Sequence, residues 1–212
     1  MNGRRDRFAR RPVGEVGPEC FAADDVPVPS PGPGEALVEV TWLSIDPTIR
    51  GWMQMDTYLP AIGIGEPIRS GGLGTVVESN NDDLPVGATV FGMMGWQQYA
   101  IADAGARVIP DGIEPEAALS VFGVTGLTAY FGLLDVGEPK AGETVLISGA
   151  AGATGSVVGQ IARIKGCRVV GIAGRICSRG DRRELPALPA AVDGAHQRGA
   201  TVYAFHGHKR LS

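Results

Sequence analysis

Residues 143–174 read ETVLISGAAGATGSVVGQIARIKGCRVVGIAG, and this stretch restricts the fold more than any other part of the chain. The run Val145-Leu146-Ile147 is short, apolar and closed by Ser148-Gly149, the pattern of a strand covered on both faces of a parallel sheet. Ala150-x-Gly152-x-x-Gly155 follows, in which Gly152 lets the backbone approach a pyrophosphate and Gly155 lets the next helix pack closely on the strand. Val157, Val158, Ile161, Ala162 and Ile164 recur at helical spacing, Gly166 marks the stop, and Cys167 to Ala173 reads as a second parallel strand. The spacing predicts the opening of a dinucleotide-binding unit, with free N–H donors at the helix N-terminus. The glycines alone fit a purely structural turn as well; the strand-helix-strand context favours the binding reading.

An NAD-binding unit places an Asp or Glu about 20 residues past the glycines, on the ribose 2′-hydroxyl. Here that stretch is Gly174-Arg175-Ile176-Cys177-Ser178-Arg179, with two guanidinium groups and no carboxylate. It suits a 2′-phosphate, hence NADP with Arg175 as a contact, or else these arginines belong to a solvated tail.

The chain has 212 residues, 44% of them hydrophobic, enough for one large or two small domains. Its cysteines, Cys20, Cys167 and Cys177, match neither a disulfide framework nor a metal knuckle, so a reducing, cytoplasmic setting is expected. Asn2-Gly3-Arg4-Arg5-Asp6-Arg7 after Met1 carries no apolar leader, and no apolar run approaches a membrane span. Lys and Arg outnumber acids in residues 175–212, but that segment lacks the aromatic and motif signature of a nucleic-acid binder.

Upstream, Pro27 to Glu35 reads as a turn before a strand over Ala36–Trp42, with further strands over Gly74–Glu78, Thr89–Met93 and Gln98–Ala102. Short strands at this spacing predict a barrel-like β domain. Glu114–Val121 and Val124–Val136 read as helices, with Pro115 near a start and Gly137 just past an end. Asp24-Asp25 and Asp82-Asp83 read as solvated turns. Beyond Gly174 no helical period is sustained, and only Thr201–Phe205 suggests a strand.

Four stretches together carry a resemblance over about residues 8–174: Leu43-Ser44-Ile45-Asp46-Pro47-Thr48-Ile49-Arg50-Gly51, Gly95-Trp96-Gln97-Gln98-Tyr99-Ala100, Gly126-Leu127-Thr128-Ala129-Tyr130-Phe131-Gly132-Leu133-Leu134, and the glycine turn through Val158-Gly159-Gln160-Ile161-Ala162. The chain resembles the zinc-independent medium-chain dehydrogenases/reductases, specifically the NADP-dependent alkenal, prostaglandin and leukotriene reductase group. The resemblance implies an α/β plus β architecture: a GroES-like β-barrel domain over residues 1–120, the start of an NADP-binding Rossmann domain, a doubly wound parallel sheet, over 121–174, and a divergent tail over 175–212. It implies reduction by NADPH of the carbon-carbon double bond in α,β-unsaturated aldehydes or ketones. Gly152, Ala153, Thr154, Gly155 and Ser156 would cradle the pyrophosphate, and Thr125 would lie near the nicotinamide or serve as a plain helix N-cap.

Thr48 stands with Ile49 where the group has Tyr-Met, and Tyr58 would line the substrate pocket or sit as a buried aromatic. Zinc-dependent relatives hold their metal with Cys, His and Glu; this chain has Asp46 and Gly71-Gly72-Leu73-Gly74 at those places, so no catalytic zinc is expected. After Gly174 the group continues Ser-Asp-Glu-Lys, completes the sheet, contributes a tyrosine and pairs as homodimers. Here the lysine position is Ser178 and the tyrosine has no counterpart, so residues 175–212 read as translation out of the original frame. His206-Gly207-His208 has two histidines without a third ligand, more simply nothing than a metal grip. Expected partners are a small enal or enone, with no nucleic acid and no membrane; the competing function is a non-catalytic fragment, inert or binding a partner through an exposed strand edge.

Overall fold

A computed structural model describes residues 1–173; Arg175, Cys177, the three histidines and the strand expected over 201–205 lie outside the described residues. The backbone divides into two compact units between Leu119 and Ser120.

In the first unit, β1 (Asn2–Phe8) runs antiparallel to β2 (Phe21–Pro27), and neither strand was expected. Their sequences lack the apolar alternation that marks a strand because charge complementarity supplies the register. Arg4 stands opposite Asp25 and Arg5 opposite Asp24. Arg7 Nε donates to Asp24 Oδ2 at 2.5 Å, and Arg5 Nη2 lies 3.9 Å from the same oxygen. The expectation of a solvated turn at Asp24-Asp25 is therefore corrected: these carboxylates belong to a strand, and Asp24 is a cross-strand ion-pair partner. On its other side β1 bonds to loop backbone, Asp6 N–H to the Trp96 carbonyl and Phe8 N–H to that of Glu66 at 2.8 Å each.

β3 (Ala36–Leu43), β4 (Gly72–Ser79), β5 (Thr89–Gly92), β6 (Tyr99–Ala102) and the two-residue β7 (Arg107–Val108) form an antiparallel sheet in the order β6-β3-β4-β5-β7. Four of the five fall within two residues of their expected bounds; β7 is too short to leave a periodic signal. No pairing between the outer strands β6 and β7 occurs among the described residues. Inward residues Val38, Val76, Val90, Leu84 and Met94 make one core, each at most 2% exposed. A second core gathers Phe8, Cys20, Ile62 and Ile68 around α1 (Pro47–Trp52), with Phe21 stacked on Trp96 at 5.5 Å between ring centres. The short α2 (Pro115–Leu119) ends the unit, two residues short of its expected reach.

The second unit is built on β8 (Thr144–Ser148) and β9 (Arg168–Ile172), paired in parallel and joined by α4 (Ala153–Ile164). Val145, Leu146 and Ile147 are all buried, as a strand covered on both faces requires. Val157, Val158 and Ala162 turn inward against Val145 and Ile147, whereas Ile164, at the last helical residue, is exposed. Cys167 is a buried small residue one place before β9, its thiol 3.4 Å from the Lys140 carbonyl.

α3 (Val124–Phe131) also packs on this core through Ala129, as does Leu133 in the segment that continues it. The helix expected to stop before Gly137 instead continues from Gly132 through Gly137 as a π-helical segment, and the left-handed residue that closes it is Glu138, with φ 46°. Glycines at both ends of the segment tolerate the wider backbone path, so Gly137 belongs to the helix and does not end it.

Replacing Asp24 by Ala is expected to lower stability by about 0.5–1 kcal/mol, because the pairs it makes with Arg7 and Arg5 are a third exposed. The loss should shrink in 1 M salt, as chemical denaturation at two ionic strengths would read.

Candidate functional site

At the end of β8 the chain turns through Gly149, whose φ of 64° lies in the left-handed region. The Ala150 N–H reaches the Ile172 carbonyl at 3.0 Å and ties the turn to the end of β9; the Gly152 N–H returns to the Gly149 carbonyl at 2.8 Å. Gly152 is the N-cap of α4, extended at φ −80°, ψ 169°, and no side chain caps the helix. The first three helical N–H groups, of Ala153, Thr154 and Gly155, have no backbone acceptor among the described residues, as the opening turn of any helix dictates. Donors and helix dipole favour a negative charge at this point.

The glycines are fixed by steric need. A Cβ on Gly155 would overlap the Gly149 carbonyl oxygen and stand 3.0 Å from the Ala150 Cα. One on Gly152 would stand 3.1 Å from the same oxygen, and one on Gly171 would meet the Ala150 Cβ at 2.7 Å. The first turn of α4 thus lies directly on the strand-end backbone, leaving Gly152 and Ala153 exposed and Thr154 half-buried. The Ser156 hydroxyl is committed within the helix to the Ala153 carbonyl, 3.1 Å away. Gly149 and Gly171 share this close approach, although neither falls in the three-position fingerprint. Their signal in the sequence is a glycine at the end of one strand and another near the end of its parallel partner.

Thr125 is the second residue of α3, and the reading of it as an N-cap is corrected: Gly123 is the cap. The Thr125 hydroxyl donates to the Ser120 carbonyl at 2.9 Å, the same oxygen that accepts the N–H groups of Gly123 and Gly126 at 3.1 Å each. Gly126 is as constrained as Gly155, since a Cβ there would overlap the Val121 carbonyl oxygen.

In the first unit, Thr48 lies half-buried on α1, four residues before Trp52. Tyr58 is 73% exposed and meets Trp52 edge-on, 5.8 Å between centres at 75°, so the expectation of a buried aromatic there is corrected. The Arg69 guanidinium, anchored on the Pro60 carbonyl at 2.7 Å, covers the Trp52 ring at 5.8 Å, and the Trp52 indole N–H is buried with no acceptor among the described residues. Asp46 is held by the Ser44 hydroxyl at 2.7 Å, and a Cβ on Gly72 would stand 2.7 Å from the Trp42 carbonyl oxygen. Among the described residues no group of three His, Cys, Asp or Glu side chains is placed to hold a metal. Tyr99, on β6, is held above the ordinary phenol value by loss of hydration and then by the Glu39 carboxylate 3.4 Å from its hydroxyl, so it stays protonated at neutral pH. No helix among the described residues is long and apolar enough to cross a membrane.

Residues 4–109 match the family model of the N-terminal domain of oxidoreductase. The chain is 48% identical over 171 residues to the putative NADP-dependent oxidoreductase YfmJ of Bacillus subtilis, covering 79% of this chain and 50% of that one. It is 43% identical over 178 residues to the NADPH-dependent curcumin reductase of Escherichia coli, covering 82% and 51%. Among solved structures it is similar to CurA from Vibrio vulnificus in complex with NADPH, with a TM-score of 0.84 and 35% identity over 98% of this chain and 66% of that one. The chain spans about half the length of the curated relatives it matches.

Gly155→Ala is expected to cost about 1–3 kcal/mol, since the turn must open to admit the methyl group. Gly159→Ala, whose Cβ would make ordinary contacts of 3.5 and 3.6 Å with Ile147 and Val169 side chains, should be neutral or stabilising by up to about 1 kcal/mol. Paired denaturation curves would separate the two.

Proposed function

We infer the function of this chain from its membership: it belongs to the zinc-independent medium-chain dehydrogenase/reductase family, by the oxidoreductase domain match over residues 4–109 and its similarity to NADP(H)-dependent reductases. We propose that it is an NADPH-dependent oxidoreductase acting on the carbon-carbon double bond of small α,β-unsaturated aldehydes or ketones. Relatives named prostaglandin reductase 1, of Rattus norvegicus, and 2-alkenal reductase, of Nicotiana tabacum, support that substrate class. The observation that carries the reading is the start of α4: three amides without a backbone acceptor among the described residues, on a first turn that needs glycine at Gly155, in a chain with this kinship. The β sheets of the first unit are read as the GroES-like domain, and β8, α4 and β9 as the opening of the Rossmann sheet.

In this reading the amides of Ala153, Thr154 and Gly155 hold the diphosphate, with Gly152 and Ser156 flanking it. The backbone at Gly152 and Gly155 fits such a group, because a side chain at either place would press on the Gly149 carbonyl and shift the first turn that carries the amides. Arg175, assigned to the 2′-phosphate, lies outside the described residues; the absence of a carboxylate from residues 174–179 of the sequence supports NADP over NAD. Thr125 in the second unit is assigned to the nicotinamide, and Thr48 on α1 and Tyr58 beside Trp52 in the first unit are assigned to the substrate. When bound, the reduced nicotinamide supplies a hydride to the β-carbon of the conjugated substrate. The described residues contribute binding, orientation and the exclusion of water.

Saturating NADPH should raise the melting temperature of the full chain, because a ligand that binds only the native state at a hundred times its Kd adds about 2.7 kcal/mol. NADH should do less. No shift with either coenzyme would favour the non-catalytic alternative. NADPH oxidation with a panel of 2-alkenals then tests the substrate class.

A further inference from the structure

The Thr125 hydroxyl has one proton, and the structure assigns its destination. A carbonyl oxygen only accepts, so the 2.9 Å bond to Ser120 spends that proton on the backbone. What remains on Thr125 Oγ1 is acceptor capacity. Any ligand group that meets this oxygen must bring its own hydrogen.

The position of Thr125 follows from topology. The helix that begins at Val124 runs through Gly137, and the loop after it is bonded to the end of α4, Gly142 N–H to the Gly166 carbonyl at 3.0 Å and the Cys167 thiol to that of Lys140. α3 and α4 share one core, Ala129 and Leu133 against Val157, Val158 and Ala162, so the two helices lie side by side with their C-termini at one end. Thr125, roughly 18 Å back along its helix at 1.5 Å per residue, lies at the opposite end, where β8 finishes and α4 begins. That end, outside the carboxyl edge of parallel strands, is where this class of sheet takes its ligand.

Resting on the NADPH reading above, we propose that Thr125 is a positioning residue that accepts a hydrogen bond from the carboxamide N–H of the nicotinamide, fixing the ring's orientation. It cannot at the same time donate to the substrate oxygen or protonate the α-carbon, because its proton is already bound.

The test measures dissociation constants on the full chain without substrate, by calorimetry, for NADPH and for its acetylpyridine analogue, in which a methyl group replaces the carboxamide amine. The wild type should bind the analogue about tenfold more weakly, the loss of one hydrogen bond with its acceptor left unpaired. Thr125→Val should bind both about equally, and Thr125→Ser should restore the preference. The Ser120 carbonyl keeps the N–H groups of Gly123 and Gly126 in either variant, and Thr125→Ala serves as a second hydroxyl-free form should the valine not fold. Equal binding of the two coenzymes by the wild type, or a preference that survives in Thr125→Val or Thr125→Ala, would overturn the proposal. If neither coenzyme binds the wild type, the NADPH reading itself falls and takes this one with it.

Discussion

Backbone meets backbone where α4 begins, with Gly155 seated on the carbonyl of Gly149, and the second unit depends on that contact. With no side chain between them, α4 drops onto β8 closely enough for Val157, Val158 and Ala162 to bury against Val145 and Ile147. The same closeness leaves the opening amides bare above the strand end. Packing and the placing of the amides therefore come from one geometric fact, since a larger residue at Gly155 would lift the helix and carry its opening N–H groups with it.

The first unit solves a different problem. Four of the seven residues of β1 are charged, and its formation rests on finding a partner of opposite sign and, on its other edge, loop groups that bond Arg4, Asp6 and Phe8. Phe8 at its end, fully buried beside Cys20 and Ile68, supplies the apolar anchor. Exposed ion pairs contribute little each, so the ladder fixes register more than it adds stability.

The candidate residues of each unit are held by local contacts. At α1 an exposed Tyr58 leans on a buried Trp52 that Arg69 covers, a layered arrangement of aromatic and guanidinium faces. At the start of α3 the single carbonyl of Ser120 gathers three donors, Gly123, Thr125 and Gly126, and so replaces the side-chain cap the helix lacks. Gly126 makes that fold-back possible, as Gly155 does for α4.

By itself the sequence determined the elements whose signal is local: the buried run Val145-Leu146-Ile147, the glycine turn, the apolar face of α4, and the alternating strands from Ala36 to Ala102. Period and steric need are written in neighbouring residues, so they are legible without a partner. Tertiary structure alone decided β1 and β2, the exposure of Tyr58, the π-helical end of α3 and the engagement of the Thr125 hydroxyl. Each of these depends on a group distant in sequence or on the path of the backbone: Asp24 for Arg7, Trp52 for Tyr58, the turn at Ser120 for Thr125. Apolar period within a segment registers neither a bond to a distant partner nor the turn that folds a near one back.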